Sequence, residues 1–301
     1  MKALKPIDPA EKWIAKQFLE PSEYTIFLRD SLSLRNEIKK RIFSEIRKLL
    51  LDSSQTKPPF APEQLGAYRR VKNIIPDETL SHKEAVLIPE DGGFIIKYNP
   101  KKPKVRIRFG IAHEIGHTYF FDLKATHPQK FYSLISSRYW VEEGYACEIA
   151  REILVPEPYL STISTQICDH PSVNALVQLQ RTFNVSYEVL LKRLLHDSHL
   201  WNSNFWGNNL WNAIIVMANI SSKDNNIKNL KVYRSPTYKY KFRDSKKLRD
   251  MVIRIIKNRS LTHDNITISK NKYKVEWILL ERAEPVIILV ITNVKGERRN
   301  I

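Results

Sequence analysis

The chain has 301 residues, enough for one domain of about 150 to 200 residues and a smaller one. Its hydrophobic fraction of 43% and charged fraction of 27% are those of an ordinary globular protein, which excludes the disordered and fibrous classes. No apolar run reaches the roughly 18 to 20 residues that span a bilayer, and the N-terminus lacks the apolar core of a signal peptide. With only two cysteines, Cys147 and Cys168, we expect a cytoplasmic protein without a membrane partner.

The formal charge of +17 is unevenly distributed. From residue 200 to the end there are 20 Lys and Arg against 8 Asp and Glu, a net of +12. A surface of this sign attracts nucleic acid or an acidic protein. Because no nucleic-acid-binding motif accompanies the charge, a lysine-rich solvated face remains the alternative interpretation.

Apolar periodicity predicts helices over residues 9 to 51, interrupted at Pro21. Residues 52 to 62 have loop composition and indicate a boundary. Two short apolar runs, EAVLIP and GFIIKYNP, flank EDGG and predict a β-hairpin.

The middle of the chain is predicted to be mainly helical. Residues 108 to 121, RFGIAHEIGHTYFF, are apolar all round a helical wheel and predict a buried helix. The stretch VEEGYACEIAREILVP predicts a second helix that ends at Pro156. A proline-bearing loop is then expected to lead to two amphipathic helices, VNALVQLQRTFN and SYEVLLKRLLH, the second capped by Ser186.

From about residue 201 the pattern changes to strands. Five apolar runs predict strands and one amphipathic run predicts a helix, which together indicate a small α+β domain. The strands are NAIIVMANI, LKVYR, NITIS, YKVEWILLE and PVIILVITN, and the helix is KKLRDMVIRIIKN.

Three ionisable residues, His113, Glu114 and His117, lie inside the apolar shell of the helix over 108 to 121. A buried polar group without a partner costs about 1 to 3 kcal/mol, so the three side chains are expected to share one stabilising partner. The two histidines lie about 40° apart on one helical face, within reach of one tetrahedral ion. Glu114 points about 100° away, near the ion, where it can take a proton from water. This is the H-E-x-x-H pattern of zinc peptidases; the alternative is two satisfied core histidines and a surface glutamate.

A catalytic zinc usually has three protein ligands and a water, so a third ligand is missing from the motif. The extended motif requires a glycine and a histidine where this chain has Phe120 and Leu123, which excludes that subclass. The remaining candidates are His127, whose polar loop is typical of a surface histidine, and Glu142 or Glu143 on the next helix. Both carboxylates point inward more than out, and periodicity prefers Glu143 only slightly.

Three stretches in order resemble the ImmA/IrrE family of bacterial metallopeptidases over about residues 60 to 196. They are RIRFGIAHEIGHTYF, EEGYACEIAREILVP and FNVSYEVLLKRL. The family shows similar R-F-x-x-A-H-E-x-G-H, E-x-x-A-x-x-x-A-x-x-L-L-x-P and V-S-x-x-x-L-x-x-R-L helices. The resemblance implies that His113, His117 and Glu143 bind one Zn²⁺ and that Glu114 is the general base.

Two positions depart from the family pattern. Cys147 stands where the family often has Asn, and Val155 stands where Met is frequent before the proline. Neither position is a ligand in the family, so we interpret both as variation around the site or in packing. A cysteine can bind zinc, but a small buried helical cysteine more often only packs.

The resemblance implies an α+β, thermolysin-like zinc peptidase domain over residues 59 to 200. We expect an N-terminal helical extension over 1 to 58 to precede it and a basic α+β domain over 201 to 301 to follow it. Characterised family members are site-specific endopeptidases that act on helix-turn-helix repressors. The implied function is therefore regulatory cleavage of a protein substrate such as a helix-turn-helix repressor. The alternative is a non-catalytic zinc-fold protein that regulates a repressor or nucleic acid by contact.

Catalysis would require further groups that the sequence does not select. An oxyanion needs a donor besides zinc, and the candidates are Tyr119, His127, Tyr139 and Tyr145. The hairpin around GFIIKYNP offers an edge with which an extended substrate could pair. The C-terminal domain could also act as a ligand sensor that gates the peptidase.

Overall fold

The computed structural model describes residues 7–130, 139–167, 170–196, 213–221, 226–234, 245–257, 263–268, 271–281 and 285–293. These residues form helices and two β-sheets, which confirms the α+β class. The chain divides into two compact units: Met1–Leu160 with Thr182–Val189, and Ser161–Arg181 with Leu190–Ile301. No helix in these ranges is long and apolar enough to cross a membrane. The domain boundaries predicted at residues 58 and 200 stay predictions.

Three helices begin the first unit: α1 (Pro9–Phe18), α2 (Pro21–Arg29) and α3 (Ser31–Asp52). The predicted break at Pro21 is confirmed, because this proline occupies the first turn of α2, where its missing N–H is tolerated. α3 carries its buried residues at helical spacing. They are Ile38, Ile42, Phe43, Ile46 and Leu50.

Helices α1 and α3 contact the region around the H-E-x-x-H motif. Trp13 and Gln17 donate hydrogen bonds from their side chains to the Tyr119 carbonyl, at 3.3 and 3.0 Å. Lys39 on α3 pairs with Glu148 at 2.7 Å. The N-terminal helices therefore belong to the framework of the first unit.

A short helix, α4 (Pro62–Gly66), and a 3-10 turn, Ala67–Arg69, lead into a three-stranded sheet. Its strands are β1 (Val71–Pro76), β2 (Ala85–Glu90) and β3 (Gly93–Tyr98), in the order β1-β3-β2. β2 and β3 form the predicted antiparallel hairpin, and β1 pairs with β3 in parallel. No element is predicted over β1, because only Val71 of this strand is buried and its residues do not alternate. Because β3 lies between β1 and β2 in the sheet, β2 is an edge strand.

Helix α5 (Lys104–His117) packs beside this sheet, and α6 (Tyr139–Leu154) packs against α5. α5 ends earlier than predicted, since Thr118–Phe120 form a 3-10 turn. An ideal Cβ on Gly116 would lie 2.9 Å from the Cα and carbonyl oxygen of Ala146. The helices thus approach closely through the small residues Gly116 and Ala146.

The chain continues through α7 (Glu157–Ile167), α8 (Val173–Phe183), α9 (Tyr187–Leu191) and a π-helical turn, Lys192–His196. The predicted proline-bearing loop is wrong over α7, because Pro158 lies in the first helical turn, where a proline needs no N–H partner. Ser186 caps α9 as predicted, with its Oγ accepting from the Val189 N–H at 3.2 Å.

The second unit contains a five-stranded antiparallel sheet and confirms the strands and helix predicted there. The strands are β4 (Ile214–Ile220), β5 (Ile227–Arg234), β6 (His263–Ile268), β7 (Asn271–Leu280) and β8 (Val286–Asn293), in the order β5-β4-β8-β7-β6. Helix α10 (Ser245–Lys257) packs Leu248, Met251 and Val252 against the sheet core. Exposed basic residues lie on β5 and α10, namely Lys228, Lys231, Arg234, Lys246, Arg249 and Arg254.

The close approach of α5 and α6 predicts opposite effects for two Gly→Ala changes. Gly116→Ala places a methyl group against the Ala146 backbone and should lower the free energy of unfolding by about 1 to 3 kcal/mol. At Gly144, in α6, a Cβ meets no atom within 4 Å, so Gly144→Ala should raise the free energy of unfolding by about 0.5 to 1 kcal/mol. Chemical denaturation measures both, and a Gly116→Ala variant as stable as the wild type would contradict the packing.

Candidate metal centre

The structure brings together His113 and His117, one turn apart on α5, with Glu143 near the start of α6. The two Nε2 atoms are 3.0 Å apart. Glu143 places Oε2 at 3.1 Å from His113 Nε2 and Oε1 at 3.3 Å from His117 Nε2. Each residue offers one donor atom within 4.8 Å of the other two, and the group could hold a metal ion.

The spacing of these donors fits a zinc ion. Bonds of about 2.0 to 2.2 Å in a tetrahedron place neighbouring ligand atoms about 3.3 to 3.6 Å apart. The observed distances of 3.0 to 3.3 Å differ from these values by a few tenths of an ångström. Side-chain movements of that size would complete the geometry.

Glu142 holds the other nitrogen of His117. Its Oε1 lies 2.6 Å from His117 Nδ1, and Lys130 Nζ lies 2.9 and 3.2 Å from its two oxygens. A carboxylate that accepts from an ammonium is ionised, so we assign the Nδ1 proton to His117. In the neutral form of His117, the Nε2 lone pair then faces His113 and Glu143.

The relative burial of the two glutamates is the reverse of the prediction. The side chain of Glu142 is 1% exposed and that of Glu143 is 32% exposed. Periodicity gives the direction of a side chain from the helix axis, but the burial of Glu142 also depends on Lys130, which follows α5 on a separate segment.

Cys147 lies beside the group and contacts one of its members. Its Sγ is 3.6 Å from Nδ1 of His113, the ring nitrogen that faces away from the metal group. It is not one of the residues whose donor atoms converge. Val155 is fully buried, in agreement with a packing role.

The electrostatics of the group favour positive charge. Burial lowers the pKa of His113, but hydrogen bonds with Cys147 and Glu143 outweigh it and raise the pKa to about 10. Burial likewise opposes the charged form of His117, yet hydrogen bonds with Glu142 and Glu143 raise its pKa. The carboxylates that stabilise a proton here would also stabilise a metal cation.

Glu114 lies outside the converging group and faces a cavity of about 940 Å³. Burial raises the pKa of Glu114, although the neighbouring His117 and His113 and a hydrogen bond from the Leu87 N–H lower it in part. Strand β2 and helix α5 provide much of the cavity wall. The lining includes Ala85, Val86, Leu87, Pro89, Phe109, Gly110, Phe121, Pro128 and Lys130, together with the group itself.

The remaining candidates lie elsewhere. His127 is 61% exposed and its Nδ1 lies 3.0 Å from Asp91, so the structure does not bring it to the group. Tyr119 and Tyr145 are buried, burial raises the pKa of each phenol, and neither lines the cavity. The side chain of Tyr139 lies outside the described residues. Lys130, which the sequence analysis does not select, is the cationic side chain next to the group.

An H-E-x-x-H sequence on a largely buried helix, with a carboxylate from the following helix, is the ligand pattern found in zinc peptidases. Residues 80–195 match the model of a peptidase family described as the IrrE N-terminal-like domain. The match confirms, over these residues, the resemblance to the ImmA/IrrE family that the three helical motifs predict.

Comparison with solved structures identifies a similar fold. A Mycobacterium tuberculosis transcriptional regulator has a TM-score of 0.50 and 12% sequence identity, with 95% of this chain and 81% of that chain covered. At this identity the likeness shows a shared fold. No curated protein matches the chain significantly.

Proposed function

We propose that the protein is a zinc-dependent endopeptidase that regulates transcription by cleaving a protein substrate such as a helix-turn-helix repressor. The observation that carries this proposal is the convergence of two imidazole nitrogens and one carboxylate, with contacts of 3.0 to 3.3 Å, beside a glutamate in an open cavity. The match of residues 80–195 to a peptidase family supports the same class of activity.

His113, His117 and Glu143 would hold the metal. When bound there, a zinc ion supplies a Lewis acid that polarises a scissile carbonyl and lowers the pKa of a water molecule. Two neutral imidazoles and one carboxylate leave a net positive charge on such a centre, which suits the stabilisation of a developing oxyanion.

Glu114 would act as the general base. It lies on α5 next to His113 and lines the same cavity as the converging donors without being one of them. The hydrogen bond from the Leu87 N–H fixes its carboxylate, and burial raises its pKa, which makes the carboxylate a stronger base that can accept a proton and return it to the leaving amine.

The edge strand β2 would bind an extended substrate. The Glu84 carbonyl accepts from the Asn99 N–H on the β3 side, while the Leu87 N–H points to Glu114 on the cavity side. Because backbone groups alternate along a strand, the carbonyls of Ala85, Leu87 and Pro89 and the Ala85 N–H face the cavity, whereas Pro89 has no N–H and the Leu87 N–H donates to Glu114. The predicted pairing edge is therefore assigned to β2 rather than to β3, and a substrate complex with the peptide bound elsewhere would remove this part of the proposal.

The basic second unit would contact an acidic partner, either nucleic acid or an acidic protein surface. The exposed lysines and arginines of β5 and α10 support this assignment. It is independent of the peptidase chemistry.

Zinc binding is tested by comparing one ligand with one surface histidine. The wild-type chain should bind one zinc ion, and His117→Ala should lose it, because the change removes one of three donors. His127→Ala should retain it, since that side chain is exposed and outside the group. Metal analysis of the dialysed proteins measures this. Equal zinc loss in both variants, or a wild-type protein without zinc affinity, would contradict the metal site.

Catalysis is tested by Glu114→Gln. The amide cannot accept a proton, so cleavage should fall by about 10² to 10⁴-fold while zinc content persists. Glu148→Gln, on α6 and paired with Lys39, is the control and should cleave normally. The substrate to test first is a helix-turn-helix repressor encoded beside this gene, with products identified by mass spectrometry. A Glu114→Gln variant that cleaves as fast as the wild type would rule out this mechanism.

The contact-only alternative makes a different prediction for the same repressor. A peptidase must yield two fragments whose formation a zinc chelator abolishes. A protein that acts only by contact leaves the repressor intact while binding it. Binding without fragments would therefore replace the peptidase proposal.

A further inference from the structure

The carboxylate of Glu142 lies between a candidate metal ligand and a lysine, and the sequence analysis treats it only as an alternative ligand. We infer that Glu142, held by Lys130, is a positioning residue that fixes His117 with Nε2 directed at the metal. This inference rests on the proposed zinc function. It assigns a task to two residues that the peptidase mechanism above does not use.

The burial of Glu142 is the first support. Its side chain is 1% exposed, and an ionised carboxylate in such a place costs several kcal/mol unless it is paired and hydrogen-bonded. His117 Nδ1 lies 2.6 Å from Oε1, while Lys130 Nζ lies 2.9 Å from Oε1 and 3.2 Å from Oε2. These are short, charge-assisted contacts, so the carboxylate has one defined place.

The contact with His117 determines how the ring is presented. A neutral imidazole has one N–H and one lone pair, and the nitrogen that carries the proton is set by its hydrogen bond. With Nδ1–H donated to Glu142, the lone pair lies on Nε2, which is 3.0 Å from His113 Nε2 and 3.3 Å from Glu143 Oε1. A flipped ring would lose the 2.6 Å hydrogen bond to a buried carboxylate. Glu142 therefore selects both the tautomer and the orientation needed for metal binding.

Lys130 is itself fixed by the segment before it. Residues Phe121 and Lys130 form an antiparallel bridge, and the Lys130 ammonium lies 5.3 Å from the centre of the Phe121 ring. The Arg70 guanidinium donates to the Leu123 and Ala125 carbonyls at 2.5 and 2.7 Å, which anchors the same segment. Lys130 thus offsets the charge of Glu142 from a defined position.

His113 has a weaker counterpart. Its Nδ1 lies 3.6 Å from the Cys147 Sγ, and sulfur is a weak hydrogen-bond partner. The two histidines are therefore held unequally. Removal of the Glu142 carboxylate should weaken metal binding more than Cys147→Ser does.

The experiment measures metal affinity on the full chain. Co²⁺ is titrated into the apo forms of Glu142→Ala, Glu142→Gln and Lys130→Met in competition with a chromogenic chelator, and the visible d–d spectrum of bound Co²⁺ is recorded. Glu142→Ala should bind about 10- to 100-fold more weakly, as expected for the loss of a carboxylate behind a ligating histidine. Glu142→Gln should recover part of the affinity, since its amide oxygen still accepts from Nδ1–H. Lys130→Met should weaken binding less than Glu142→Ala.

Glu152→Gln is the matched control. Glu152 lies on the same helix, is fully buried, pairs with Arg47 at 2.7 Å and is not a member of the converging group. The control should keep wild-type Co²⁺ affinity and spectrum, so that a loss confined to Glu142 and Lys130 variants reports positioning rather than general damage to α6. Rescue by glutamine at position 142 is a further sign that folding alone does not explain the loss.

Two results would overturn the inference while leaving the zinc proposal intact. One is a Glu142→Ala variant with wild-type Co²⁺ affinity and spectrum, and the other is a Glu152→Gln variant that loses as much affinity as Glu142→Ala. A wild-type chain that binds neither Co²⁺ nor Zn²⁺ would instead overturn the proposed function and this inference together.

Discussion

The contact between α5 and α6 is the constraint on which the site depends. Gly116 meets the Ala146 backbone at a distance that leaves no room for a Cβ, and this sets the two helices close enough for Glu143 to reach His113 and His117. The three-residue group is a consequence of that packing. The N-terminal helices also contact these helices. Trp13 and Gln17 bond the Tyr119 carbonyl just after α5, and Lys39 pairs with Glu148 on α6.

This close packing places electron-rich ligand atoms next to one another. Two imidazole lone pairs and a carboxylate oxygen meet in a largely buried place, and their mutual repulsion is relieved only by a positive charge. The raised pKa values of both histidines show the same preference for a positive charge. A divalent cation satisfies it with a fixed geometry, and it also places a Lewis acid beside Glu114 and an open cavity.

The sequence predicts those features that depend on local periodicity or on the recognised motifs. The spacing of His113 and His117 places them on one face of one helix, and the five apolar runs after residue 213 become strands because they are long, β-branched and regularly interrupted. Residue spacing alone does not select Glu143 over Glu142; the family motif does. The structure then shows Glu143 in the converging group.

The features that escape prediction depend on contacts between distant segments or on ambiguous local chemistry. Glu142 is buried because it pairs with Lys130 from another segment. The periodicity of one helix cannot predict a contact with a residue outside that helix. β1 is stabilised by parallel pairing with β3 rather than by its own pattern. At α7, prolines that suggest a loop occupy the start of a helix instead. In each case tertiary context decides what local residues leave open.

The most direct measurement is a crystal structure of the zinc-loaded protein with diffraction data collected on both sides of the zinc absorption edge. The account predicts one anomalous peak in contact with His113 Nε2, His117 Nε2 and the Glu143 carboxylate, with Glu142 remaining on His117 Nδ1. An anomalous peak bound instead by Cys147 or Glu142, or the absence of any peak between the two histidines, would contradict it.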